Sequence, residues 1–506
     1  MPGTLTTPEH SAVSNALARN RVGAFGISMS IASSVAPLTV VAGVFATALA
    51  VTGLQGLSIA ILAIAAVMLV FVVGYMAMAR HIRNAGAFYA YVAQGIGRPV
   101  GVGTSLVALV LYNCFQIGGY GGFGAIGSLV LGNMFGVDIP WYVLAIVLWV
   151  IVAVLGVREL GVSEKVLIVL VVAETALVVI YSIAIMLTDG FSFSSVPLQL
   201  DTLWGPGAGA LLVIAATAFA GIEQGAVYIE ESRDPRRTVP RATYGTVIAV
   251  GLLYFFASWI MVSAGGAQIV ERAGAEGPDL FFNQAAVTLG SVAVDAGQIL
   301  FLTSLIAAAI AMHNIIARYT FALGREGVLP RLFGRTSVQG APRNASLAQS
   351  VLALLVITAW AVAGWDPLTQ LFFWGGTSGG LGVLLLISIT SIAVIAFFAA
   401  NRHNESAWHR IIAPGIATVL LGVISYLALS NLSTLYGVEP GTGPAVVVPI
   451  VYLVVFVAGI IWGLILKNRQ PGIYAGIGKG TSSEAAGSSG LSALLDDRPG
   501  STGSLR

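Results

Sequence analysis

Ala32-Ser33-Ser34-Val35-Ala36-Pro37-Leu38-Thr39 interrupts one long apolar run near the start of the chain. Phe219-Ala220-Gly221-Ile222-Glu223-Gln224-Gly225 interrupts another. Each is a would-be membrane helix broken by small, hydroxyl-bearing or helix-breaking residues, and a broken helix exposes backbone groups that lipid cannot satisfy. The breaks must therefore face protein, water or a ligand. They lie five apolar runs apart, where an inverted repeat of five helices places corresponding elements. Discontinuous helices at matching positions of two halves point to a transporter's binding site.

Outward from these two stretches, twelve apolar runs are predicted as spans: 23–47, 57–79, 100–128, 140–155, 166–187, 207–229, 243–264, 292–317, 346–363, 368–398, 411–430 and 445–466. A bilayer core needs about 20 apolar residues in helical form. Only 9% of the 506 residues are charged, and the mean hydropathy is +0.91. A transmembrane β-barrel would show short alternating segments instead. The class is an all-α membrane protein of twelve transmembrane helices.

Placement of charge sets the orientation. The N-terminal segment, the even-numbered gaps and the C-terminal tail hold 23 of the 24 Lys and Arg residues, and the odd-numbered gaps hold only Arg272. Positive charge marks the cytoplasmic side, so both termini are expected there, in a multi-pass protein of the cell membrane. Residues 1–22 read as a cytoplasmic segment with no apolar signal region, 23–466 as the transporter domain, and 467–506 as a cytoplasmic, disordered tail. Residues 188–206 and 265–291 read as the two long external loops, the second with a short helix. The single cysteine, Cys114, excludes an intramolecular disulfide and reads as a packing residue.

The half-helix starting after Ala36 offers N–H groups and a positive dipole end to a carboxylate. The half-helices ending near Ser33 and Ala220 offer carbonyls to an ammonium group, so a zwitterion fits both. Ser33, Ser34, Ala36, Thr39, Phe219, Ala220, Gly221 and Glu223 are the candidate substrate-binding residues at the breaks. For Glu223, binding a substrate amine competes with capping neighbouring backbone N–H groups. Asn113 and Gln116, three apart on one helix face, either read a substrate side chain or tie helices together. Gly118 and Gly122 allow close helix approach, and Phe373-Trp374 either lids a pocket or packs. His313 reads as an interfacial residue.

Glu174 is the least expected residue, a carboxylate half-way through the fifth span. An isolated charge there costs at least ~2.5 kcal/mol, so the group must be protonated, paired or facing a wet cavity. It is the candidate proton carrier, against the alternative of a neutral acid tying two helices. Spans with no nucleophile–base pair and no metal-ligand spacing argue against an enzyme, and no metal, cofactor or nucleic-acid partner is expected.

Three stretches resemble the amino acid–polyamine–organocation transporter superfamily. The first is Phe219-Ala220-Gly221-Ile222-Glu223 running to Glu230-Glu231-Ser232-Arg233-Asp234-Pro235 and Pro240-Arg241-Ala242. The second is Arg318-Tyr319 with Arg325-Glu326-Gly327-Val328-Leu329-Pro330 and Ala341-Pro342. The third is Arg83-Asn84-Ala85-Gly86-Ala87-Phe88-Tyr89-Ala90-Tyr91, with Asn84 where the family often has Pro. The resemblance covers about residues 20–465. It implies a leucine-transporter-type fold, two inverted five-helix repeats plus two helices, and alternating-access transport of an amino acid or amine. Many proton-coupled relatives have a Lys in the fifth span where a sodium ion would sit. Glu174 falls at or near that place, so the usual coupling does not carry over unchanged. Thr303 and Ser304 form a hydroxyl pair suited to sodium. The expected function is a proton-coupled symporter of an amino acid or small amine, in a lipid bilayer. An uncoupled exchanger and a non-transporting sensor on the same fold are the alternatives.

Overall fold

A computed structural model describes residues 22–480 except 83, 158–159, 206 and 338–339. The expectations for the N-terminal segment before residue 22, for Arg83 and for residues 481–506 lie outside the described residues.

Among the described residues the secondary structure is helical apart from one isolated parallel bridge, Val22 to Ser232. The apolar runs form α1 (Ala24–Thr52), α2 (Leu57–Ala79), α3 (Arg98–Phe135), α4 (Trp141–Gly156), α5 (Leu160–Met186), α6 (Ala208–Tyr228) and α7 (Pro235–Gly265). They continue as α8 (Val292–Arg325), α9 (Arg343–Ala363), α10 (Pro367–Ala400), α11 (Trp408–Ser430) and α12 (Pro444–Arg469). Among the described residues, eleven apolar segments are long enough to cross a membrane, while α4, with 16 residues, is apolar but shorter. Helix is the form these sequences must take in lipid, because it satisfies each backbone group within its own segment.

Burial separates centre from periphery. The apolar stretch of α6 is 83% buried and that of α12 only 17%, so α6 lies inside the bundle and α12 shows most of its apolar surface to the surroundings. α1 packs on α5, α7 and α8. The 38-residue α3, ~57 Å long at helical rise, runs against α8, α10 and α12. Its crossing with α10 depends on glycine: a Cβ on Gly375 would lie 2.8 Å from the Cys114 carbonyl and 3.2 Å from Gly118 Cα. The expected close approach at Gly118 is therefore observed, and Cys114 sits at that crossing.

One end of the bundle is closed by buried charge. Arg318 Nε meets Glu231 Oε1 at 2.5 Å, and Arg325 Nη2 meets Glu230 Oε1 at 2.7 Å. Glu230 Oε1 also accepts from the Ala85 amide, and the Arg318 guanidinium stacks over Tyr228. Glu326 beside them accepts from Asn84 Nδ2 and Tyr89 Oη, both at 2.6 Å. The Gly478 and Gly480 amides donate to the same carboxylate at 2.6 and 2.8 Å. Burial raises the Glu326 carboxyl above its ordinary range, while those donors pull it back. The quoted motif stretches thus meet in one polar cluster.

That cluster corrects the disordered-tail expectation for residues 467–480. α12 runs on to Arg469, Pro471–Gly476 is helical, and Ile477 is buried. Backbone donors in a short glycine turn found an acceptor inside the domain, a pairing that composition does not reveal. At the opposite end, the second long loop forms two helices, Ile269–Glu276 and Leu280–Leu289, rather than one.

Candidate functional site

α1 is broken at Ala36, which has φ 50° and ψ 72°, a left-handed conformation costing an L-residue about 1 kcal/mol or more. Pro37 explains the position, since its ring disfavours the α conformation in the residue before it. The helix resumes with the Val40 amide donating to the Ala36 carbonyl, passes through a wide turn over Thr39–Val44, and ends at Thr52. α6 is regular over Ala208–Thr217, leaves the helix at residues 218–221, and continues as tighter turns over Ile222–Tyr228. Gly221 makes this possible with φ 112°.

The two breaks touch. A Cβ on Gly221 would fall 2.9 Å from Ser34 Cβ. Ser34 Oγ donates to Gln224 Oε1 across the gap and lies 2.8 Å from the Ser30 carbonyl. Glu223 holds the α6 break together: its Oε2 accepts from the Gly221 amide at 2.9 Å and its Oε1 from Tyr112 Oη at 3.1 Å. Tyr75 Oη donates to the Glu223 carbonyl at 2.9 Å. Of its two expected roles, Glu223 occupies the backbone-capping one.

A cavity of about 330 Å³ lies beside the breaks. Ser34, Ala36, Thr39 and Ala220 line it, together with Val35, Phe115, Gly119, Thr217, Met312, Phe372, Phe373, Gly376, Thr377 and several aliphatic residues. It extends toward Pro278, Leu368, Leu432 and Leu435, away from the charged cluster. No Asp, Glu, Lys, Arg or His is among its lining residues.

Ser33, Phe219, Gly221, Glu223, Asn113 and Gln116 are not among the lining residues. Ser33 is buried with its hydroxyl unpartnered, and Phe219 packs edge-on against Tyr254. Asn113 and Gln116 both bond to α9. Gln349 Nε2 of α9 donates to Asn113 Oδ1 at 2.7 Å and to Gln116 Oε1 at 2.6 Å. Gln116 Nε2 lies 3.0 Å from Tyr120 Oη and 3.1 Å from His313 Nδ1. His313 Nε2 meets Ser346 Oγ at 2.7 Å. His313 is therefore buried in the amide network that ties α3, α8 and α9, and is not interfacial. Periodicity places Asn113 and Gln116 on one face but cannot say which neighbour that face meets.

Glu174 is fully buried on α5 and reaches the α1 break. Its Oε2 accepts from the Leu38 amide at 3.3 Å and from Ser304 Oγ, while its Oε1 is buried without a partner. Thr39 Oγ1 lies 3.0 Å from Ser304 Oγ, so one carboxylate joins α1, α5 and α8. Thr303 instead turns its hydroxyl back to the Leu300 carbonyl. Leu38 carries the first N–H after Pro37 in the resumed helix, and a side chain of the protein takes it. In this conformation Glu174 therefore occupies one of the amides at the start of the resumed half-helix.

The sequence pattern of the family described as amino acid permease matches residues 20–460. The chain belongs to that family. Among relatives, the low-affinity putrescine importer PlaP of Escherichia coli (strain K12) is 27% identical over 124 residues, 24% of this chain and 26% of the relative. The histidine permease of Saccharomyces cerevisiae is 26% identical over 212 residues, 38% of this chain and 32% of the relative. The branched-chain amino acid permease BcaP of Lactococcus lactis is 25% identical over 234 residues, 45% of this chain and 49% of the relative. The chain spans at most half the length of each of these relatives. All three quoted motif stretches fall inside the permease match, as do both breaks, Glu174 and the Arg and Glu side chains of the cluster.

Proposed function

We propose that this permease-family protein is a secondary active transporter, a proton symporter, of an amino acid or related small amine across the cell membrane. The observation that carries the reading is the contact of two broken helices at Gly221 and Ser34 beside a cavity that both breaks help to line. α4 completes twelve spans, and the pairing of α1 with α6 supports two inverted five-helix repeats, with α11 and α12 outside them. By the positive-inside rule the charged cluster and both termini are cytoplasmic, so the cavity faces outward in this conformation. The relatives' names, for putrescine, histidine and branched-chain amino acids, support small amines and amino acids as the substrate range.

Coupling is assigned to Glu174. Ionised, it holds the Leu38 amide by a charge-assisted bond; protonated, it holds it more weakly. Proton uptake from outside would loosen the second half of α1 from α5 and α8, and release on the other side would restore the tie. The test is uptake by proteoliposomes with and without an inward proton gradient. Gradient-driven accumulation that Glu174→Gln abolishes, with counterflow retained, supports symport. Full accumulation by the variant removes the coupling role, and wild-type counterflow with no gradient-driven accumulation makes the protein an exchanger.

A further inference from the structure

The crossing of α3 and α10 continues into the cavity in a specific way. Gly118 and Gly375 bring the two backbones into contact, and the next residue on each helix, Gly119 and Gly376, lines the cavity. No heavy atom lies within 4 Å of a Cβ built at either position. Two helices thus meet at full closeness and, one residue on, leave empty space that any larger residue would fill.

The chemistry of that space is one-sided. Its polar side chains are hydroxyls only, and most are already committed: Thr217 to the Ile214 carbonyl at 2.7 Å, Thr47 to the Gly43 carbonyl at 2.8 Å, Thr39 to Ser304. Glu174 and Glu223 do not line it, and each turns its Oε2 to a backbone amide at a break, Leu38 and Gly221. A second ammonium group, as in a basic amino acid or a diamine, would enter with no counter-charge, and a side-chain carboxylate would fare no better. An aliphatic or aromatic group would gain contact with Phe115, Met312, Phe372 and Phe373. The volume lies at the small end of ligand sites, enough for one compact molecule.

We propose that the substrate is an α-amino acid with an uncharged, apolar side chain, and that Gly119 and Gly376 set how large that side chain can be. The proposal rests on the transporter reading above.

The test is counterflow in proteoliposomes holding the full chain, with leucine, phenylalanine, alanine, lysine, glutamate and putrescine offered in parallel. Leucine or phenylalanine should exchange at least tenfold faster than lysine, glutamate and putrescine. Gly376→Val and Gly119→Val should each lower the leucine-to-alanine and phenylalanine-to-alanine ratios at least fivefold. Both sites have nothing within 4 Å of an added Cβ and sit within helices, where valine is no worse than glycine, and retained alanine exchange shows that the variants fold. Exchange of lysine, putrescine or glutamate in preference to leucine overturns the inference while leaving the transporter reading intact. Unchanged size ratios in both valine variants overturn the role of the two glycines. Absence of exchange with every compound removes the transporter reading and this inference with it.

Discussion

Gly221 of α6 lies against Ser34 of α1, so closely that a Cβ on the glycine would stand 2.9 Å from Ser34 Cβ and 3.3 Å from its carbonyl carbon. The same glycine has φ 112°, so space and backbone both exclude a side chain. Gly221→Ala should cost about 1–3 kcal/mol, lower the melting temperature and cut counterflow at least tenfold. Gly245→Ala, on an exposed face of α7 with nothing within 4 Å, should leave both unchanged. A fully active Gly221→Ala would mean the breaks need not touch.

The Arg318–Glu231 pair joins α8 to the segment after α6 and is almost wholly buried. Removing one partner strands the other charge, whereas removing both does not. Glu231→Met and Arg318→Met should each destabilise by about 3–5 kcal/mol, and the double change Arg318→Met with Glu231→Met by distinctly less. Thermal melts of the four proteins in one detergent form the cycle that measures it.

Glu326 binds the chain after α12 to the loop before α3. Truncation after Arg469 and Glu326→Gln both act on the Gly478 and Gly480 bonds to Glu326, so their combined effect on the melting temperature should be less than the sum of the two. Additive effects would show that the tail binds elsewhere. The sign of the pH dependence follows from the raised carboxyl. Its contribution to stability is fully present below the ordinary glutamate value, about 4.3, and is lost as pH climbs through the higher folded value. Melting temperatures of Glu326→Gln should therefore fall less steeply over that interval than those of the wild type.

Gln116 serves the amide network between α3, α8 and α9. Gln116→Leu should cost about 1–3 kcal/mol by leaving His313 and Gln349 short of partners while leaving relative substrate preference unchanged. A tenfold change in preference between two substrates, at equal expression, would return Gln116 to the binding site.

Much of the architecture was legible in residue order because lipid permits few alternatives. A run of some twenty apolar residues in a bilayer must become a helix, and Pro37 and Gly221 mark by their own stereochemistry where a helix cannot continue. That some helix approaches α3 closely was legible too, since Gly118 has no side chain to hold a neighbour away, but that the neighbour is α10 was not. The cavity wall was much less so. Phe115, Met312, Leu432 and Leu435 look like any other apolar residue of a span, and lipid-facing and cavity-facing positions share one composition.

Residue order alone therefore decided that this chain is a helical membrane protein, that two of its helices break, where they break, and that an acid sits in the middle of a third. These are consequences of short-range stereochemistry and of solvation by lipid, which act on each segment separately. Only the tertiary structure decided that Glu174 takes the Leu38 amide, that Gln116 and His313 serve helix packing, and that residues after α12 fold back onto Glu326. Each of those depends on how one helix is rotated against another. In helices apolar on every side, that rotation is set by the packing of the whole bundle rather than by any pattern within a segment.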